Sequence, residues 1–317
     1  MNIIKRIIYK YLSANIKEEI RLRKTYYHYN KKDSEYKPLA IFCLDGRTYT
    51  NGLADRLRGM VSIYLYSKLN NIEFKIEHID PFYIEDYLQP NKYNWLLKKK
   101  DKTYNTKNAN PICLFDYTKG LRLFFLSKKK QHHFYTNIDC ISLLNKKYNT
   151  NYTFSELYNE LFKPSDKLLY NINECLKQIG SEYVSISFRF MKLLGDFEDA
   201  WGNTLDLEEQ EKLIEKSLVV IKSLKKNTSY PKILVTSDSQ KFINRVKEIP
   251  YVYIIPGEIG HIGNSPNTNI YMKTFLDFYM ISRAEKIFLG VSGEMYKSNY
   301  AKTASYISNK EFEIINY

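Results

Sequence analysis

The sequence predicts an α/β protein with two domains, each built on a parallel sheet. Short apolar runs are followed by helical-period segments, and this alternation is most regular in the C-terminal half. Such alternation is typical of βαβ units with covering helices. The length of 317 residues allows two domains. We expect a basic helix and linker over 1–37, a first domain over 38–165 and a second over 166–317.

The first 24 residues are predicted to form a basic amphipathic helix. Isoleucines at 3, 4, 7 and 8 fall on one face, with Lys5, Arg6 and Lys10 on its flanks. Two interpretations have equal weight: the helix lies on an anionic membrane surface, or it packs on the protein's own core. The polar residues 25–37 that follow indicate a linker.

The first domain opens with a β–loop–α–β pattern. Residues 39–44 and 72–78 predict strands, and the segment from 53 to 69 between them predicts a helix. Residues 80–170 indicate short helices and long loops, with strands near 111–116 and 134–139. Adjacent His132 and His133 are predicted to lie in a surface loop.

The second domain has a more regular pattern. Strands are predicted at 183–189, 232–236, 251–255 and 286–291, and helices at 166–179, 207–225, 239–248, 270–284 and 295–307.

Charge and motifs exclude several classes of protein. The net charge is +13, which suits an anionic membrane, an anionic substrate or nucleic acid. The absence of zinc-finger spacing and RNA-binding motifs makes nucleic acid the least favoured partner. Four scattered cysteines indicate free thiols and no metal site. The chain contains no Walker, G-x-G-x-x-G, H-E-x-x-H, G-x-S-x-G or D-x-D motif. With no signal peptide and no apolar run long enough to cross a bilayer, a cytoplasmic location is expected.

Polar residues at the predicted strand ends suggest a diphosphate site. Arg189 ends an apolar strand and needs an anionic partner, either a phosphate or an internal carboxylate such as Asp196 or Glu198. Those two acids and Asp199 are also alternatives for a general base. Thr236 and Asp238 follow the next strand; Asp238 either contacts a purine or ribose, or caps the helix 239–248.

Two further glycine-containing turns have both a binding and a capping interpretation. Ser292 and Gly293 follow the strand 286–291 and either cradle a phosphate or cap a helix. Gly52 permits close backbone approach at a helix start. Only one of Arg56 and Arg58 is expected to reach a cleft, since residues two apart point to different faces.

Four segments together resemble the fucosyltransferase superfamily, which includes α-1,2, α-1,6, nodulation and protein O-fucosyltransferases. They are N-G-L-A-D-R-L-R-G-M (51–60), S-I-S-F-R-F (185–190), V-T-S-D-S-Q-K-F (235–242) and the stretch 276–294. The resemblance implies a GT-B fold: two Rossmann-like domains with parallel sheets facing a cleft, the first binding the acceptor and the second the donor. It implies inverting, metal-independent transfer of fucose from GDP-fucose, without a cofactor, to a hydroxyl of a surface-glycan or glycolipid precursor.

The resemblance also assigns roles. It implies that Arg189 contacts the β-phosphate, Asp238 the guanine and Ser292 a phosphate, with the base at Asp196 or Glu198. Ser187 stands where the family has His, and Phe190 and Ser239 replace an Arg and an Asp. The donor set is Gly52, Arg56, Ser187, Arg189, Thr236, Asp238, Ser292 and Gly293. The alternatives are another nucleotide-sugar donor, or a non-catalytic nucleotide- or carbohydrate-binding protein.

Overall fold

A computed structural model describes residues 12–30, 36–48, 52–115, 117–197, 202–260, 262–263 and 267–317. The chain divides into two compact units: unit 1 holds residues 1–51 and 55–163, and unit 2 holds 52–54 and 164–317. The elements up to residue 164 are α1 (Ala14–Tyr26), β1 (Leu39–Leu44), α2 (Leu53–Asn70), β2 (Glu73–His78), β3 (Leu88–Pro90), β4 (Ala109–Leu114), β5 (Gln131–Thr136), α3 (Ile141–Tyr148), α4 (Phe154–Leu161) and β6 (Phe162–Pro164), with 3-10 helices at Ile84–Asp86, Lys99–Asp101 and Tyr117–Phe125.

Unit 1 contains a four-stranded parallel sheet in the order β2-β1-β5-β4. All six residues of β1 are buried, as expected for a central strand covered on both faces. Residues of α1, β1, β4 and β5 pack together in a small core of Leu22, Leu39, Ile41, Cys43, Cys113 and Tyr135. A separate two-stranded sheet pairs β3 with β6.

The structure corrects several predictions for this half of the chain. Strands predicted at 111–116 and 134–139 begin two and three residues earlier, as β4 and β5. The surface-loop prediction for His132 and His133 is wrong, because both are buried in β5. One ring nitrogen of each has a polar partner there: His132 Nε2 lies 2.8 Å from the Ser127 carbonyl, and His133 Nδ1 lies 2.6 Å from the Tyr27 hydroxyl. Of the predicted N-terminal helix, residues 1–11 lie outside the described residues.

Unit 2 contains the regular alternation that the sequence predicts. Its elements are α5 (Asp166–Ile179), β7 (Tyr183–Phe188), α6 (Leu207–Lys226), β8 (Lys232–Ser237), α7 (Gln240–Val246), β9 (Val252–Tyr253), α8 (Thr268–Ser282), β10 (Lys286–Val291), α9 (Tyr300–Ile307) and β11 (Glu311–Asn316).

Local chemistry explains why these segments become helices. Asp206 caps α6 by accepting a hydrogen bond from the Glu209 amide, acidic residues occupy the first turn, and Lys225 and Lys226 occupy the last turn. This arrangement complements the helix dipole at both ends. The buried face of α6, which includes Leu213 and Ile221, packs on the sheet.

The five strands of unit 2 are all parallel, in the order β11-β10-β7-β8-β9. Gly290 of β10 lies opposite Phe188 of β7. A Cβ at Gly290 would come within 2.4 Å of the Phe188 ring, so glycine is required where that ring packs against the sheet. The two parallel sheets confirm the predicted α/β class.

The main differences from the prediction in unit 2 are the bounds of two elements and one additional strand. The last helix begins at Tyr300 rather than at 295, and the strand predicted at 251–255 pairs only over Val252–Tyr253. The strand β11 was not predicted. Four of its six residues are exposed, so it lacks the apolar run by which a buried strand is identified.

Candidate active site

The topology of unit 2 indicates where a ligand binds. Successive strands run from β7 to β8 and β9 on one side, and β10 and β11 lie on the other side. The strand order therefore reverses between β7 and β10. In open α/β sheets, ligands bind at the carboxyl ends of the strands beside such a reversal. Arg189 follows β7 and Ser292 follows β10, so these two predicted site residues flank this point.

Arg189 is held in place by two contacts within unit 2. Its Nη1 lies 3.1 Å from Asp238 Oδ2. Its guanidinium carbon lies 4.6 Å from the centre of the Phe197 ring, in a cation–π contact. The side chain keeps 23% of its surface exposed, so an anion from solvent can reach it. Asp238, which directly follows the adjacent strand β8, is thus one internal carboxylate partner of Arg189.

Asp238 supports the turn that follows β7. Its Oδ1 accepts a hydrogen bond from the Phe190 amide at 2.9 Å, and its Oδ2 accepts one from the Met191 amide at 2.8 Å. Met191 has a φ of 53°, a left-handed conformation that a non-glycine residue adopts only when its surroundings hold it. Burial raises the pKa of Asp238, while Arg189 and the two amides act in the opposite direction. Asp238 thus fixes both the turn and Arg189.

The alternative role of Asp238 as a helix cap is wrong. The residue that caps α7 is Ser239, whose hydroxyl accepts a hydrogen bond from the Phe242 amide at 3.1 Å. Both oxygens of Asp238 already accept backbone hydrogen bonds. Its contact with a guanine stays a prediction.

Ser187 and Thr236 form a hydrogen-bonded pair between neighbouring strands. They face each other in the register of β7 and β8, and their hydroxyl oxygens lie 2.7 Å apart. Both residues are buried. The pair therefore satisfies itself inside the sheet, immediately before the strand ends that carry Arg189 and Asp238. Contact of Ser187 and Thr236 with a donor stays a prediction.

The loop after β10 reaches the end of β7. The Tyr296 amide donates a hydrogen bond to the Arg189 carbonyl at 3.3 Å, which brings Ser292 and Gly293 to the same edge as Arg189. Gly293 has a φ of 50° and no atom within 4 Å of a built Cβ. The prediction that a helix starts directly after this pair is wrong, since α9 begins seven residues after Gly293. Any phosphate contact here would use loop amides and the Ser292 hydroxyl.

The predicted base region is described only in part. Asp196 Oδ2 accepts hydrogen bonds from the Ser239 hydroxyl at 2.9 Å and the Lys241 amide at 2.7 Å. Its Oδ1 is buried and has no hydrogen-bond partner among the described residues. Glu198 and Asp199 lie outside the described residues. The choice of base stays a prediction.

Arg56 belongs to the interior of unit 1. It is 1% exposed, and its Nη1 lies 3.2 Å from His78 Nε2. The His78 Nδ1–H donates to the Phe82 carbonyl at 2.9 Å, so Nε2 is the acceptor for Arg56. Burial and the Arg56 charge lower the pKa of His78 to about 3.

Gly52 has no atom within 4 Å of a built Cβ. Close approach of its backbone to a donor stays a prediction.

Proteins similar to this chain are found among solved structures. No family model matches the chain, and no curated protein is similar in sequence. Among solved structures, a mutant of FUT1 from Arabidopsis thaliana in complex with GDP matches with a TM-score of 0.57 and 14% identity, over 95% of this chain and 74% of that one. The α-1,6-fucosyltransferase NodZ, soaked with GDP-fucose, matches with a TM-score of 0.52 and 12% identity, over 86% of this chain and 93% of that one. NodZ from Bradyrhizobium without a named ligand gives a TM-score of 0.51.

The chain shares the fold of these solved structures. At these identities, the likeness is one of architecture, and it agrees with the fold class that the sequence resemblance implied.

One buried charged cluster in unit 1 was missed by the sequence analysis. Cys43, Asp45 and Glu77 place a thiol and two carboxylates within 4.8 Å of one another, a set that can hold a metal ion. The Lys102 ammonium lies 3.6 Å from the thiol and 3.7 Å from Asp45, and it bonds to Glu77. The Lys102 ammonium thus supplies a positive charge next to the thiol and the two carboxylates. Sequence carried no signal for it, because Lys102 follows a run of three lysines that indicates a solvated loop.

Proposed function

We propose that this protein is an inverting, metal-independent glycosyltransferase that moves fucose from GDP-fucose to a hydroxyl of a glycan or glycolipid acceptor. The observation that carries the proposal is Arg189, fixed by Asp238 and Phe197 yet partly exposed, at the strand reversal of unit 2. A guanidinium at that place suits a diphosphate. Solved proteins with the same fold are in complex with GDP or soaked with GDP-fucose.

In this proposal, unit 2 stabilises the leaving nucleotide. The bond between the sugar's anomeric carbon and the β-phosphate oxygen breaks, and the electron pair leaves with GDP. Arg189 then faces the developing negative charge, and a preorganised cation is most effective at that point. The Ser292 hydroxyl and the loop amides beside it add hydrogen bonds to the same group.

The acceptor hydroxyl attacks the anomeric carbon from the face opposite GDP, and its proton passes to a carboxylate. Asp196 or Glu198 fills that role in the proposal. Asp196 is supported by its place in the segment between Arg189 and α6, and by an oxygen without a hydrogen-bond partner among the described residues. A base beside Arg189 would act while the same site holds the diphosphate.

The acceptor class is a proposal based on charge. An excess of 13 positive charges favours anionic surfaces, and a cytoplasmic enzyme resting on a membrane would meet lipid-linked glycan precursors there. Among the described residues, no helix is long and apolar enough to cross a membrane. The N-terminal basic helix, whose first eleven residues lie outside the described part, is proposed as one membrane contact.

The test compares Arg189→Ala and Arg189→Lys with wild type. GDP affinity is measured by calorimetry with EDTA present, and GDP release from GDP-fucose is measured with and without acceptors. Removing the charge-stabilising group should lower kcat/KM by about a hundredfold or more, and Lys should restore only part of it because it lacks the bidentate fork.

The matched control is Arg245→Ala, an exposed arginine of α7 that pairs with Glu211 and Glu215. Its activity should equal that of wild type. Full turnover by a folded Arg189→Ala variant would refute the proposed role. Tighter binding of UDP, CMP or ADP than GDP would assign another donor, and GDP binding without any sugar transfer or hydrolysis would favour a non-catalytic binding protein.

A further inference from the structure

An exposed apolar surface surrounded by lysines lies on unit 1, within the 3-10 helix Tyr117–Phe125 and the residues after it. Phe125 is 85% exposed and Leu121 is 51% exposed. The inner side of the same helix is well packed: Leu123 is 1% exposed, and Gly120 lies against Cys140 and Leu143. The helix is therefore anchored, and its outward apolar side chains are not a consequence of loose packing.

The surroundings of these side chains are cationic. Lys128 and Lys129 are exposed and follow Phe125 within four residues. The Lys147 ammonium, from α3, lies 5.6 Å from the centre of the Phe124 ring. We call Leu121, Phe124, Phe125, Lys128, Lys129 and Lys147 the basic apolar patch.

The wider segment has almost no negative charge to offset these lysines. Between residues 117 and 155 the sequence has seven Lys or Arg and one acid, Asp139. Arg122 is neutralised by Glu19 of α1, through contacts of 2.6 Å and 3.0 Å. Among the described residues, Lys128, Lys129 and Lys147 form no ion pair with a carboxylate.

We propose that the basic apolar patch docks unit 1 onto an anionic lipid bilayer. Exposed Phe and Leu side chains can enter the boundary between headgroups and acyl chains, while lysines beside them contact anionic headgroups. A second copy of the chain is a poorer partner because it would bring the same positive charges face to face. The exposed aliphatic side chain of Leu121 favours lipid over nucleic acid, which would stack on aromatic rings.

This surface is formed by residues outside the N-terminal segment, and the proposal does not depend on the proposed catalytic activity. It gives unit 1 a membrane contact formed by a folded part of the chain.

The first experiment is co-sedimentation of the full chain with phosphatidylcholine vesicles, with and without phosphatidylglycerol, at low and high salt. Wild type should bind only the anionic vesicles and should be released by salt. Lys128→Gln with Lys129→Gln should weaken binding by about 25-fold, and Phe125→Ser by about tenfold. These positions are exposed, so the variants should keep the wild-type melting temperature.

The control variant carries Val219→Ser and Lys222→Gln, an exposed apolar and basic pair on α6 in unit 2. It should bind vesicles as wild type does. Equal binding by the patch variants and wild type would overturn the proposal and assign any adsorption to another part of the chain. Absence of vesicle binding by wild type would also overturn the proposal. It would be overturned as well if a single-stranded RNA bound wild type and the control variant but not the patch variants.

A second measurement reports the insertion directly. Phe125→Trp should show a blue-shifted emission on anionic vesicles and quenching by brominated lipid, beyond any change in the wild-type protein. The same emission with and without vesicles, under conditions where the protein sediments with them, would show that Phe125 stays in water and would overturn the proposed orientation.

Discussion

Replacing Asp238 with Asn separates a positioning role from a nucleotide-contact role. The Asp238 carboxylate is 4% exposed, accepts two backbone hydrogen bonds and pairs with Arg189. Asn has one acceptor oxygen, so one of the two backbone amides would face an NH₂ group. Leaving a buried donor unsatisfied costs about 1–3 kcal/mol, and replacing a charged acceptor by a neutral one weakens the remaining bond by about 1 kcal/mol. The expected loss of unfolding free energy is therefore about 2–4 kcal/mol.

The assay is urea unfolding followed by circular dichroism, together with GDP calorimetry on the same preparations. The matched control is Asp206→Asn at the exposed cap of α6, because Asn and Asp cap helices equally well and the stability should change by less than about 0.5 kcal/mol. If Asp238→Asn keeps wild-type stability and loses only GDP affinity, the carboxylate contacts the nucleotide and the positioning argument is refuted.

Three other predictions concern packing and protonation. Since the pKa of His78 falls from about 6.5 in the unfolded chain to about 3 when buried, the unfolded chain binds more protons between these values. The free energy of unfolding at about pH 5.5 should be about 1.4 kcal/mol lower than at a pH above the unfolded pKa. Urea titrations of His78→Gln should lack this pH-dependent contribution. Gly290→Ala should lower stability by about 2 kcal/mol through its contact with Phe188; Gly52→Ala, with open space around it, is the control, and equal melting temperatures for the two would contradict the packing argument. Lys102→Met removes the cation between two carboxylates and should cost about 3–5 kcal/mol; a melting temperature unchanged from wild type would show that the cluster does not depend on this charge.

Local patterns predicted most of unit 2 because each signal lies within a few residues. The strand 286–291 was predicted at its observed bounds, and the helix at 166–179 likewise, because an apolar run or a periodic face is bounded by turn residues. The same reasoning placed Arg189 and Ser292 at strand ends. Parallel strands end at one edge, so their common location followed from the fold class.

Local sequence patterns did not predict features that depend on contacts between residues far apart in the chain. His132 and His133 suggested a loop because they are polar, yet β5 buries them, and the Ser127 carbonyl and the Tyr27 hydroxyl each contact one ring nitrogen. Arg56 suggested a ligand contact, but its partner, His78, is 22 residues away in a strand.

The sequence alone determined the class of fold, the order of most elements of unit 2 and the polar character of the strand ends, because these arise from periodicity and turn chemistry over short stretches. The tertiary structure decided which charges meet. It paired Arg189 with Asp238, and it placed Lys102 among a thiol and two carboxylates. Those pairings bring together groups that are 49 residues apart or, for Lys102, between 25 and 59 residues apart. A buried charge takes the partner that folding brings within hydrogen-bonding distance, which spacing along the chain does not reveal.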